Sequence, residues 1–294
     1  MRFILSALLF LMFSHTALSQ RVNNNEVPFE LLPSGHILLN ATVDGVAGRF
    51  IFDTGAGLTA FTKTFFEKLK HVVPEQGGYT GFRATGERID LNLYKVNNFE
   101  LGSFKKQEEE ISWLDVNLGG IDGIISLKLL EAQPFTIDFT KKVIVLQSAQ
   151  TLVAAKKGTK RIPVQLEQSR NKALSLFAYF TVNNSLILQI ALDSGAGKDV
   201  YRLSSKYLKQ LNVNVNDTLN VKKIEKKSEI NTEHSSLIYL TKLKSISAAG
   251  NATINTSNFP VQFVDGLIYD GIMWINWLGS KITFDLNAKA LFVK

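Results

Sequence analysis

The chain has 294 residues, 45% of them hydrophobic and 20% charged, with a formal net charge of +7. That length admits one large or two modest domains, and the composition excludes global disorder and fibrous structure. Cysteine is absent, which excludes disulfides, thiolate metal sites, a cysteine nucleophile and lipid attachment through an N-terminal cysteine.

Positions 1–19 read as a signal peptide. Arg2 supplies a minimal positive start, and Ile4 to Phe13 form an apolar stretch too short to span a bilayer. Ala17-Leu18-Ser19 places small residues where a signal peptidase reads, so cleavage after Ser19 is expected. No later segment is apolar enough for a transmembrane helix. The mature chain, residues 20–294, is therefore expected to be exported without stable membrane insertion. An exported chain without cysteine points to a bacterial periplasmic or secreted protein.

Beyond the leader the chain is written twice, in copies of about 130 residues. Copy one opens at Val27-Pro28-Phe29-Glu30-Leu31. Ile37 to Val43 then runs through Asp44-Gly45 into Val46 to Phe52, and Asp-Gly between apolar runs predicts a hairpin. The strand ends in Asp53-Thr54-Gly55-Ala56-Gly57. Phe61, Phe65, Phe66 and Leu69 follow at a spacing that predicts a short amphipathic helix. Gln76 to Arg88 is Gly-rich and carries Tyr79 and Phe82. The copy closes with Ile121-Asp122-Gly123-Ile124-Ile125 and two further strands, Phe135 to Phe139 and Lys142 to Leu146.

Residues 148–160 read as a linker between an N-terminal lobe at 20–147 and a C-terminal lobe at 161–294. Copy two repeats the order. Ile162-Pro163-Val164-Gln165-Leu166 opens it, and Leu174 to Val182 turns at Asn183-Asn184 into Ser185 to Leu192. Asp193-Ser194-Gly195-Ala196-Gly197 follows, then a second helical spacing at Leu203, Tyr207, Leu208 and Leu211. Tyr269-Asp270-Gly271-Ile272-Met273 and two final strands close it. Short, alternating, turn-punctuated strands with few helices predict an all-β fold of two lobes.

An apolar strand that ends in Asp-Thr-Gly or Asp-Ser-Gly delivers a carboxylate to the rim of a core. The hydroxyl can bond neighbouring backbone, and the glycine lets another chain approach closely. A pseudo-twofold axis would bring Asp53 and Asp193 side by side. Two carboxylates about 3 Å apart share one proton. Such a pair can activate a water and polarise a peptide carbonyl together, which is general acid–base catalysis. It needs no cofactor and no metal. His36, His71 and His234 are isolated and show no metal-ligand spacing. The lysine clusters at 156–161 and 222–227 belong to no nucleic-acid module and read as solvated surface.

These residues resemble the pepsin-like and bacterial retropepsin-like aspartic proteases, here with two lobes fused in one exported chain. The matching elements are Asp53-Thr54-Gly55-Ala56, Asp193-Ser194-Gly195-Ala196, Asp122-Gly123-Ile124-Ile125 and Asp270-Gly271-Ile272-Met273. The resemblance covers about residues 27–294 and implies two closed-barrel lobes related by a pseudo-twofold axis. It implies an endopeptidase acting on peptide or protein substrates, with Asp53 and Asp193 as catalytic pair. Thr54 and Ser194 would lock the two loops, and Gly55 and Gly195 would line the substrate backbone. Tyr79 and Phe82 would belong to a flap over the cleft. The equivalent stretch Val221 to Glu233 is lysine-rich and lacks glycine, so no similar flap is expected there.

The family continues its later motif with Gly, where this chain has Ser126 and Trp274. Trp274 must point away or refill space near the catalytic loop. That departure motivates an alternative, a catalytically inactive peptide- or ligand-binding protein on the same fold. Asp122 and Asp270 read as structural, and Met273, Trp274 and Trp277 as core. A monomer containing an intramolecular pseudo-dimer is expected. Gly195-Ala196-Gly197-Lys198 lacks the flanking residues of a phosphate loop.

Overall fold

The computed structural model describes residues 25–228, 233 and 235–294. The leader at 1–19 and His234 lie outside the described residues. Copy one forms β1 (Glu26–Leu31), β2 (Ile37–Val43), β3 (Val46–Asp53), β4 (Thr59–Thr62), helix α1 (Lys63–Phe66), β5 (Val73–Phe82), β6 (Arg88–Leu101), β7 (Phe104–Leu114) and β8 (Gly123–Ser126). It ends in β9 (Phe135–Asp138) and β10 (Val143–Leu146). Helix α2 (Ala149–Lys156) follows, fixed at its start by a capping box between Ser148 and Thr151. Copy two forms β11 (Lys160–Pro163), β12 (Gln165–Ser169), β13 (Ala173–Val182), β14 (Leu186–Leu192), β15 (Tyr201–Ser204) and β16 (Lys222–Lys227). Then come β17 (Ser235–Ala248), β18 (Asn251–Val264), β19 (Gly271–Met273), β20 (Lys281–Asp285) and β21 (Ala290–Val293).

Each copy closes a ring of strands. In the first, β2-β3-β8-β4-β7-β6 is closed by pairing of β6 with β2. In the second, β13-β14-β19-β15-β18-β17 is closed by pairing of β17 with β13. The protein is mostly β, with two closed barrel lobes. Alternation along the strands decides what fills each barrel. On β3, Gly48, Phe50 and Phe52 point inward while Ala47 and Arg49 face water. Phe50, Phe61, Phe65 and Phe99 then meet ring to ring in the first core. Phe180, Tyr201, Phe259 and Trp277 do so in the second. Both hairpin turns use left-handed backbone, Asp44-Gly45 in one and Asn183-Asn184 in the other.

The lobes meet through a shared sheet, β11-β21-β20-β9-β10-β1. Its centre carries the pseudo-twofold relation. β9 and β20 pair antiparallel with Phe135 opposite Phe284 and Thr136 opposite Thr283. Thr136 and Thr283 are equivalent residues of the two copies, and their hydroxyls hydrogen-bond each other at 2.8 Å. The Phe135 and Phe284 rings stack beside them at 4.6 Å.

The helices after the catalytic loops are shorter than the apolar spacing predicts. Phe61 lies on β4, where parallel pairing with β7 claims it, and only one turn, α1, follows. In copy two Leu203 lies on β15, and Ser205–Tyr207 forms a single 3-10 turn. A spacing of three and four residues can be met by a strand end, a turn and a bend when the barrel wall draws the chain out of helical geometry.

Candidate active site

β3 and β14 deliver Asp53-Thr54-Gly55 and Asp193-Ser194-Gly195 to the interface between the lobes. Parallel strands hold each from behind, β8 beside β3 and β19 beside β14. On their other edges β8 and β19 pair antiparallel with β4 and β15, and the close approach there explains the glycine in each Asp-Gly step. A Cβ on Gly123 would lie 2.6 Å from the Ala60 carbonyl, and one on Gly271 would lie 2.8 Å from that of Arg202. Asp122 accepts the backbone N–H of Arg49. Asp270 accepts that of Gln189 and the Tyr207 hydroxyl. Both carboxylates anchor the strand that carries the catalytic loop.

Four reciprocal hydrogen bonds join the two loops. The Thr54 hydroxyl donates to the Leu192 carbonyl at 2.8 Å and accepts from Ser194 N at 3.0 Å. The Ser194 hydroxyl donates to the Phe52 carbonyl at 2.8 Å and accepts from Thr54 N at 3.0 Å. Both side chains are completely buried. Each hydroxyl thus satisfies a donor and an acceptor of the other lobe that would otherwise be stranded away from water.

The lock brings the carboxylates together. A Cβ on Gly55 would lie 2.3 Å from Cγ of Asp193, and one on Gly195 would lie 2.3 Å from Cγ of Asp53. Each carboxylate is therefore seated against the opposite lobe's glycine, with no room for a side chain. Asp53 Oδ1 accepts the backbone N–H groups of Gly55 and Ala56, at 2.8 and 3.1 Å. Asp193 Oδ1 accepts that of Gly195 at 2.7 Å. Burial pushes Asp193 well above the usual carboxylate range, and the charge of Asp53 and a hydrogen bond with it push the same way. The Gly195 N–H and the Arg202 charge oppose the rise. Carboxylates packed this closely titrate as a pair rather than one by one.

Behind the loops the copies differ. Ser126 donates its hydroxyl to the Ala56 carbonyl at 2.6 Å, and its backbone N–H bonds the Thr59 hydroxyl. Trp274, at the equivalent position, holds the Val200 carbonyl through its backbone N–H at 3.1 Å. Its ring is buried, and its indole N–H has no partner among the described residues. Met273 is buried beside it, and its carbonyl accepts the Asp193 N–H at 2.9 Å.

One contact with the loops had no signal in the sequence. His36, in the turn between β1 and β2, reaches across to lobe two. Its Nε2 lies 3.0 Å from the Gly195 carbonyl, and its Nδ1 lies 2.8 Å from the Ser34 hydroxyl. The imidazole must therefore donate from Nε2, since a carbonyl only accepts. Lys198 N donates to the Ser34 carbonyl beside it, at 2.7 Å. On the other lobe, Leu174 N donates to the Gly57 carbonyl at 3.0 Å. Each aspartate loop is thus braced by the first hairpin of the opposite copy.

Tyr79 and Phe82 lie on β5, in the hairpin with β6. Phe82 is 58% exposed, while the Arg170 guanidinium from lobe two lies over the Tyr79 ring, 5.2 Å from its centroid. The hairpin turn crosses to lobe two. Ile268 N donates to the Ala84 carbonyl at 3.0 Å. Buried Glu87 accepts the Arg83 guanidinium at 3.2 Å and the Ser228 hydroxyl at 2.7 Å. In copy two, where no flap similar to the first is expected, Lys222–Lys227 still forms a strand, β16. β16 pairs with β17 from Lys222 opposite Leu240 to Lys227 opposite Ser235. Ile224 stands opposite Ile238 and packs against the apolar cluster that holds it. Among the described residues, no three His, Asp or Glu side chains converge to hold a metal ion.

Residues 39–129 match the aspartyl protease family model. A retropepsin-like aspartic protease from Rickettsia conorii is 23% identical over 41% of this chain and 88% of its own, with a TM-score of 0.29. The solved structure of edgp is 10% identical over 91% of this chain and 93% of its own, with a TM-score of 0.49. No curated protein sequence matches the chain.

Proposed function

We propose that this chain is an exported aspartic endopeptidase whose catalytic groups are Asp53 and Asp193. The observation that carries the reading is the reciprocal seating of each carboxylate against the other lobe's glycine, fixed by the buried Thr54–Ser194 lock. The aspartyl protease match over residues 39–129 supports the same chemistry.

Asp193 donates its proton to the carbonyl oxygen of a peptide bond. Asp53 takes a proton from a water held between the carboxylates, and the resulting hydroxide adds to the carbonyl carbon. The tetrahedral intermediate then transfers its proton back through the dyad to the nitrogen. The C–N bond breaks, leaving a free amine and a free acid, and water is the only co-reactant. The flap hairpin covers the cleft and can grip an extended peptide by strand addition. The inactive-binder alternative draws no support from Trp274, whose ring is buried while its backbone still holds the adjoining loop.

The test is a peptide-library digest by purified residues 20–294 beside Asp53→Asn and Asp193→Asn. Cleavage is expected to fall at least about 100-fold in each variant with folding kept. Near-normal turnover in either single variant would sink the shared dyad. The pH profile follows from the raised Asp193. Activity should fall as pH rises through that raised value, because the shared proton is lost. Stability has the same sign. The folded state binds the Asp193 proton more tightly than the unfolded chain, so this contribution is complete below the unfolded value and is lost as pH rises through the folded one. Thermal unfolding across pH should lose that slope in Asp193→Asn.

A further inference from the structure

The two barrels differ most at the end away from the dyad. In lobe one residues 67–72 carry the chain from α1 to β5, whereas in lobe two residues 208–221 carry it from the 3-10 turn to β16. The longer loop lies over a break in strand pairing. β17 pairs with β16 as far as Leu240 and with β13 from Ile246, so 241–245 have no strand on that edge among the described residues. The matching break in β6 is shorter, residues 96–98, between the pairing of Lys95 with β5 and of Phe99 with β2. Under the lobe-two loop the break opens into a cavity of about 530 Å³. β14 starts beside this cavity and ends at the Asp193 loop, so about 20 Å of strand separates the two places.

The hairpin turn presents different groups to the break in each lobe. In lobe one Asp44 closes it with both oxygens, Oδ1 to Asn98 N at 2.7 Å and Oδ2 to Asn97 N at 3.3 Å. In lobe two Asn183 stands at that place, and Oδ1 alone accepts Lys244 N at 3.0 Å and Ser245 N at 3.3 Å. Its amide nitrogen is left to donate elsewhere. Asn214 repeats this from the loop, since its Oδ1 accepts Asn216 N at 3.1 Å. Lys242 and Lys244 also line the cavity and form no ion pair among the described residues. Lys95, at the lobe-one place equivalent to Lys242, is paired with Glu75 at 3.0 Å.

Among the described residues the lining holds one carboxylate, Asp217. Its oxygens are taken by Leu219 N at 3.2 Å and Asn220 Nδ2 at 2.8 Å. Its carbonyl accepts Val221 N at 2.8 Å, so the loop is shaped by its own hydrogen bonds. The cavity is therefore rich in uncommitted donors. Two ammonium groups favour an oxyanion, because charge-assisted hydrogen bonds are the strong ones. The amides suit hydroxyl groups, and the Thr241 hydroxyl, which donates to the Asn220 carbonyl, can still accept. The volume exceeds what a bare ion would fill.

We propose that this cavity is a second ligand site, which takes a sugar-sized polyol carrying a phosphate or a carboxylate. Lys242 and Lys244 hold the oxyanion, and Asn183 and Asn214 donate to the ligand's oxygens. The site goes beyond the peptide cleft and does not depend on it.

The test is calorimetric titration of purified residues 20–294 with glucose 6-phosphate, glucuronate, glucose, inorganic phosphate and acetate. One or both anionic sugars should bind about tenfold or more tightly than glucose at low salt, and more weakly as salt is raised. Which of the two binds tells phosphate from carboxylate. Lys242→Gln combined with Lys244→Gln should weaken that binding about tenfold or more. Asn183→Asp, which copies the turn of lobe one, should weaken it too while thermal unfolding stays close to the parent. Four results would overturn the inference: neither anionic sugar binding up to about 10 mM, glucose binding equally well, the bare anion binding as tightly as its sugar, or affinity surviving the double lysine variant. None of these readings depends on whether the dyad cuts peptides.

Discussion

The two Asp-Thr/Ser-Gly loops are near copies, yet the protein supports them differently. In lobe one a serine hydroxyl, Ser126, ties the loop carbonyl of Ala56 directly. In lobe two the same position carries Trp274, which ties the loop through its backbone and fills the space behind with its ring. Asp53 accepts two backbone N–H groups through one oxygen, whereas Asp193 accepts one. A duplicated chain therefore keeps its symmetry where the two copies touch and departs from it one layer behind. The lock cannot drift, because each half supplies the other's hydrogen-bond partners. The layer behind can, because each lobe closes its own barrel.

The sharpest way to break this comparison is the lock itself. Thr54→Ala and Ser194→Ala each remove two buried hydrogen bonds and strand a donor and an acceptor. Each should cost about 2–4 kcal/mol and most of the activity. Denaturant unfolding would check it, and strongly unequal costs would show that one lobe carries the lock. Thr54→Ser keeps both hydrogen bonds and should recover most of the loss.

A smaller effect is expected at the braces. His36→Ala leaves the Gly195 carbonyl without its side-chain donor, and kcat should fall about 3- to 10-fold. Glutamine can restore an N–H at that place, so His36→Gln should recover part of it. Equal loss in both variants, read as kcat against KM, would mean that packing rather than the hydrogen bond matters. The smallest effect belongs to Trp274→Phe. It removes a buried N–H that has no described partner, so its stability should stay within about 1 kcal/mol of the parent. A loss of several kcal/mol would show that the indole fills space a phenyl ring cannot.

Much of the site was legible because it is repeated. Asp53 and Asp193, with their hydroxyl neighbours and glycines, stand at equivalent points of a duplicated pattern, and a twofold relation needs little more to pair them. The hairpin turns were legible from Asp44-Gly45 and Asn183-Asn184, since few residues adopt left-handed backbone readily. The strand β16 left no signal in the lysine-rich stretch, because glycine content says nothing about strand pairing. The short helices were overread because apolar spacing does not distinguish a helix from a strand end followed by a turn.

By itself the sequence determined the two-lobe β architecture and the pairing of two Asp-Thr/Ser-Gly loops. Local alternation and turn residues encode strands, and an internal repeat encodes symmetry. Only the tertiary structure decided that His36 braces Gly195 from the other lobe and that Glu87 meets Ser228. Those relations depend on strand register and on docking between residues far apart in the chain. No short-range pattern records which side of a barrel wall a side chain will face until the strands have paired.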